Sequence, residues 1–93
     1  MSNDKVILNF LEGREGKTSL RNVQNGYYIY KGRTLYTSDN YLINYSTKIA
    51  KVDNNKLYLN IRKYSTTTSK IQNKIRCYAS QKGYEIIEVD ELN

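Results

Sequence analysis

Between Ile71 and Ala79 the apolar side chains fall at positions 71, 75, 78 and 79. That is the spacing of one face of an α-helix. This stripe constrains the fold more than any other feature, because an amphipathic helix must lie on a second apolar surface. The helix is expected over residues 66–82, about four turns. Ser65 or Thr66 is placed to cap its start and Gly83 to close its end, with Lys82 near the negative pole of the helix dipole.

The rest of the chain supplies the opposing surface as strands. Lys5–Leu11 (KVILNFL) is a dense apolar run of strand length. Tyr27–Tyr30 and Thr34–Thr37 are aromatic and β-branched, and Lys31-Gly32-Arg33 between them reads as a hairpin tip. Asn25-Gly26 and Ser38-Asp39-Asn40 are turn signals, and residues 12–26 read as a loop or a short helical turn. Tyr41–Tyr45 continues the strands. Thr47–Val52 and Lys56–Ile61 flank Asp53-Asn54-Asn55, whose side chains tolerate turn dihedrals. In the second arm Leu57, Leu59 and Ile61 alternate with Tyr58 and Asn60, which gives the sheet one packed face. Tyr84–Val89 reads as a last strand. The fold class expected is α+β, a mostly antiparallel β-sheet with one long amphipathic helix packed on one face. Residues 1–93 form a single domain, too short for a second core. Alternation along the strands would bury about half of the ten tyrosines.

The chemistry of catalysis is thinly represented. There is no His, the commonest general base, and the one thiol, Cys77, lacks that partner. Off the Ile71–Ile75 stripe, Cys77 reads as a flank or half-buried structural residue. Metal sites built from Cys and His are excluded by count, and no cofactor is expected. Gly13-Arg14-Glu15-Gly16-Lys17-Thr18 resembles a phosphate loop, but two residues separate its glycines where the loop needs four. It reads as a solvated loop. No segment has the length or apolarity to span a membrane, and a lone cysteine with no secretory leader points to the cytoplasm.

Charge points to binding instead. The chain carries 15 bases and 9 acids, and the acids Glu85, Glu88, Asp90 and Glu91 all follow Tyr84. Residues 1–84 therefore carry a balance of +10. A basic body suits a polyanion or an acidic protein surface. The candidate contacts are Lys31 and Arg33 at the hairpin tip; Arg62, Lys63 and Tyr64 before the helix; and Lys70, Lys74 and Arg76 on it. Lys70 and Lys74 share a helical face, and Arg76 lies well round the cylinder. Such cations contact phosphates, exposed tyrosines stack on unpaired bases, and both residue types mark protein interfaces. Exposed strand edges could also pair two copies into a homodimer.

Two segments carry a family resemblance. Tyr45-Ser46-Thr47-Lys48-Ile49-Ala50, then a hairpin, then Tyr64-Ser65-Thr66-Thr67-Thr68-Ser69-Lys70 opening a helix, resemble a family of small bacteriophage proteins. The likeness covers residues 43–78. Ile71 stands where many members have His, so any role of that His is lost here. The resemblance implies a phage origin. Small phage accessory proteins of this kind commonly inhibit host defence. The expected function is a non-catalytic inhibitor of a host nucleoprotein complex, anti-CRISPR-like, acting in the host cell cytoplasm; the alternative is direct binding of DNA or RNA.

Overall fold

The computed structural model describes residues 2–18, 22–24, 27–30 and 35–92. Lys31, Arg33 and the Asn25-Gly26 turn lie outside the described residues.

The first apolar run is not a strand. Asn3–Leu11 forms a helix, α1, whose start is capped by the Ser2 hydroxyl accepting from the Lys5 N–H at 3.2 Å. Asp4 adds a negative charge in the first turn, where the helix dipole favours it. Val6, Ile7, Phe10 and Leu11 are buried, at helical spacing, while Leu8 and Asn9 lie between exposed and buried. A seven-residue run this dense fits either period, and the cap at Ser2 decides it.

Asn22–Gln24 (β1) and Tyr27–Tyr30 (β2) pair antiparallel as a separate two-stranded sheet. The expected hairpin between Tyr27–Tyr30 and Thr34–Thr37 is thus replaced: β2 returns on β1, a strand too short and polar to carry a hydrophobic period. Five further strands make the main sheet. They are β3 (Leu35–Ser38), β4 (Tyr41–Asn44), β5 (Thr47–Asp53), β6 (Lys56–Asn60) and β7 (Glu85–Val89), side by side in that order. The first four are joined by tight turns and run antiparallel, whereas β7 is parallel to β6. A parallel neighbour requires a crossover. It is supplied by the second helix, α2 (Thr66–Gln81), capped by Ser65 and followed by Gly83 at φ +82°.

The helical layer holds two helices where the stripe at 71–79 predicted one. Both pack on the same face of the sheet. Alternation sends Leu57 and Leu59 of β6, Leu42 of β4 and Leu35 of β3 toward them, to meet Ile7, Phe10, Ile71, Ile75 and Ala79 in one core. In β5 the pairing shifts from Leu42↔Ala50 to Ile43↔Lys48, which leaves Ile49 as the extra residue of a bulge. Both Ile49 and Ala50 are fully buried as a result. The helices are tied at their margins. The Asp4 carboxylate forms an ion pair with Lys74 Nζ at 2.8 Å and holds that ammonium above the ordinary lysine range. A raised Lys74 pKa keeps the ammonium charged through neutral pH, and the pairing is lost as alkaline pH removes that proton. The Tyr84 hydroxyl donates to the Leu11 carbonyl at 2.6 Å.

The edge at β3 is covered by the segment after α1. Gly16 and Thr18 exchange backbone bonds of 2.9 Å with Thr37 and Leu35, and the Thr37 hydroxyl accepts from the Gly16 N–H at 3.0 Å. The phosphate-loop resemblance ends here: the segment follows a helix, and these groups pair with a strand instead of encircling an anion.

Because α1 belongs to the core, Ile7→Ala is expected to cost about 3 kcal/mol in a urea melt, the range of a large-to-small core change. A loss below about 1 kcal/mol, typical of a surface site, would detach α1 from the core.

Candidate partner-binding surface

Among the residues with described side chains, four polar ones, Asn44, Asn60, Thr68 and Gln72, are buried, and they gather where the β4–β5 turn meets the β6–α2 connection. Burial of such groups is tolerable only when their hydrogen bonds are made. The Ser65 hydroxyl accepts from the Thr68 N–H at 3.2 Å, and the Thr68 hydroxyl donates to Asn44 Oδ1 at 2.7 Å. Asn60 Nδ2 donates to the Lys48 carbonyl at 3.1 Å and to the Tyr64 hydroxyl at 2.8 Å. Asn60 Oδ1 accepts from the Arg62 N–H at 2.9 Å. Gln72 Nε2 donates to the carbonyls of Asn60 and Arg62, at 2.6 and 3.1 Å. The connection Ile61–Ser65 is therefore pinned from three elements although every one of its residues is exposed.

What it displays is unusual for a surface. Among the residues with described side chains, the exposed large hydrophobic ones are Tyr45 (53%), Ile61 (42%) and Tyr64 (41%), all at this end of the sheet. Arg62 and Lys63 stand between the last two. Tyr45 occupies the first position of its turn at φ +59°. The matching positions of the neighbouring turns, at φ +54° and +57°, hold Asp39 and Asn54. Those side chains suit the left-handed region; a tyrosine there stores strain. Such strain is a pointer to function, since folding alone favours Asn or Gly at this position.

The structure places Arg62, Lys63 and Tyr64 at the same end of the sheet as Tyr45 and Ile61. Lys70 is exposed on the first turns of α2. Lys74 and Arg76 are already engaged, with Asp4 at 2.8 Å and Glu88 at 2.6 Å. Tyr45 and Ile61 escaped sequence reading because each continues an alternating strand pattern. The signal available for Tyr45 was its place in a two-residue turn. Cys77, read as a flank or half-buried residue, is exposed.

The tyrosines also depart from expectation, since none of those with a described side chain is buried. Register places Tyr36, Tyr41 and Tyr58 on the sheet face away from the helices, beside Lys48 and Lys51. The ammonium groups of Lys48 and Lys51 sit 4.5 and 5.6 Å from the centre of the Tyr41 ring, within cation–π range. Aliphatic residues had filled the alternate positions, so the rings were left to the second face.

Three depressions on the described surface, of about 330, 290 and 270 Å³, are open to solvent. They fall at or below the size of sites that enclose a small molecule. Among the described residues no group of three or more His, Cys, Asp or Glu is placed to hold a metal ion, and no helix is long and apolar enough to cross a membrane. Compared with family models, curated proteins and solved structures, the chain finds no match.

Two substitutions test the arrangement. Tyr45→Asn is expected to raise the unfolding free energy by about 0.5–1 kcal/mol by relieving the left-handed strain. Gln72→Ala, which strands two carbonyls, is expected to lower it by about 2–3 kcal/mol, against no more than about 0.5 for its exposed neighbour Asn73→Ala. Urea melts read both, and equal costs at positions 72 and 73 would dismiss the clamp.

Proposed function

We propose that this chain is a small non-catalytic binding protein of the phage-inhibitor type. It occludes a surface of a host nucleoprotein complex, in the manner of an anti-CRISPR protein. The observation that carries this reading is the exposure of Tyr45, Ile61 and Tyr64 at one end of the sheet, with Arg62 and Lys63 between the last two in sequence. Aromatic and arginine side chains dominate binding energy at interfaces, and a pinned loop loses little entropy on docking. The phage-family resemblance supports the same reading, because its two segments, 45–50 and 64–70, meet at this end. The basic balance of residues 1–84 favours a partner with an acidic surface or an exposed nucleic-acid strand.

The test is affinity capture from host lysate, with and without nuclease. One nucleoprotein is expected in the eluate. Against that purified partner, the double variant Tyr64→Ala/Arg62→Glu is expected to lose at least about 30-fold in affinity, while Lys56→Glu at the opposite end of β6 stays within about threefold. Equal affinities for the two variants would remove this surface from the reading.

A second reading, direct binding of single-stranded DNA or RNA, is favoured by the Tyr58, Lys48 and Lys51 face. Lysines would neutralise phosphates and the rings would stack on bases. It predicts affinity for a poly-pyrimidine strand that falls steeply between about 50 and 200 mM salt. An oligonucleotide left unbound at low salt excludes it.

A further inference from the structure

We propose that two copies of this chain pair through β7, antiparallel across a two-fold axis at Ile87, to make one continuous ten-stranded sheet. The inference is independent of the partner discussed above.

The two edges of the main sheet differ. At β3 the Gly16–Thr18 segment covers the outer side. At β7 no strand among the described residues pairs with the outer side. Of the devices that protect an edge, β7 has only its two carboxylates, Glu85 and Glu88. Its five ladder pairs with β6 run without a bulge, and it contains neither Pro nor Lys.

The phase of the ladder fixes what the edge presents. The Glu85 N–H donates inward to the Asn55 carbonyl at 2.9 Å, and the Val89 carbonyl accepts inward from Ile61 at 2.8 Å. In a parallel ladder Glu85, Ile87 and Val89 therefore face β6, and the backbone groups of Ile86 and Glu88 point outward. This pattern is self-complementary about Ile87. Ile86 of one copy meets Glu88 of the other, each with outward N–H and C=O, so the axis generates four backbone hydrogen bonds. Ile87 then faces Ile87 of the second copy as a close, non-hydrogen-bonded pair, and Glu85 faces Val89.

The side chains favour a second copy over an unrelated strand. In this register no carboxylate lies directly opposite another. Glu88 carries its own counter-charge, Arg76, at 2.6 Å on the helix side. Ile86, Ile87 and Val89 are half-exposed and gain cover together. The two-fold arrangement is also closed: each copy spends its β7 edge on the other, and the β3 edge of each is already covered at Leu35–Thr37 by the Gly16–Thr18 segment.

The experiment uses the full chain. Sedimentation equilibrium is expected to give twice the chain mass of 10.9 kDa at micromolar concentration, with Ile87→Lys weakening association at least about tenfold through opposed ammonium groups. A disulfide assay decides the register even if that variant fails to fold. In a Cys77→Ser background, Ile87→Cys is expected to cross-link between copies on mild oxidation, since facing positions there sit about 4.5 Å apart at Cα. Glu85→Cys, about 13 Å from its symmetry mate, is expected not to. A wild-type chain that stays monomeric at about 100 µM, well above the dissociation constant of a specific dimer, would overturn the proposal. So would equal cross-linking at 85 and 87, or a monomer whose β7 instead takes up a Lys/Arg-rich extended peptide.

Discussion

The Gln72 side chain holds two backbone carbonyls, those of Asn60 and Arg62, at the point where the chain leaves β6 and turns into α2. Much depends on this clamp. A strand end and a helix start both leave backbone groups without partners, and here both ends meet beside the core. An apolar residue at position 72 would fill the space and leave those carbonyls buried and unpaired. Gln72 satisfies them, Asn60 satisfies the Arg62 N–H, and Ser65 with Thr68 satisfies the helix start. With the backbone polarity settled, Ile71 and Ile75 can close over Leu57 and Leu59. The same bonds fix the direction in which α2 departs, and hence place β7 parallel beside β6.

The clamp also explains how an exposed loop acquires a definite shape. Residues 61–65 bury no side chain of their own. A loop of that kind would ordinarily sample many conformations. Its order is borrowed from groups on β6, α2 and β7, so most outward side chains are free of structural duty. Ile61 and Tyr64 can remain at the surface without loss to the core, and that division of labour suits a recognition surface better than a folding one.

How much of this was legible in the sequence follows from the physics of each signal. The α2 stripe and its Ser65 and Gly83 boundaries were readable because period, cap and C-terminal glycine agree. The β5–β6 hairpin was readable from Asp53-Asn54-Asn55. The helical state of 3–11 was not, because Val6-Ile7-Leu8 satisfies both periods until the cap is weighed. The strand pairing of β1 with β2 rests on a three-residue strand, Asn22-Val23-Gln24, too short to carry a pattern. The bulge at Ile49 breaks alternation by adding a residue, which no periodicity rule anticipates. For the candidate surface, the clustering of Arg62, Lys63 and Tyr64 was given by adjacency alone. The approach of Tyr45 required the three-dimensional fold, and the internal ion pairs of Lys74 and Arg76 required side-chain positions.

The acidic residues after Tyr84 acquire a meaning from the topology that charge counting could not supply. In sequence they form a block set against a basic body. In the fold Glu88 sits on the edge strand next to α2, where Arg76 answers it at 2.6 Å. The pair is half-exposed, so its worth to stability is small, within about 1 kcal/mol. Its effect on the character of the edge is larger. An unanswered carboxylate would repel a strand of like charge and would itself lose hydration when covered. The Arg76 fork cancels the charge while leaving the outward N–H and C=O of Glu88 untouched, because the side chain leans to the helix face and the backbone groups lie in the plane of the sheet. Charge at this edge is thus decoupled from its hydrogen-bonding capacity. That separation is what allows a strand rich in acids to remain competent to pair.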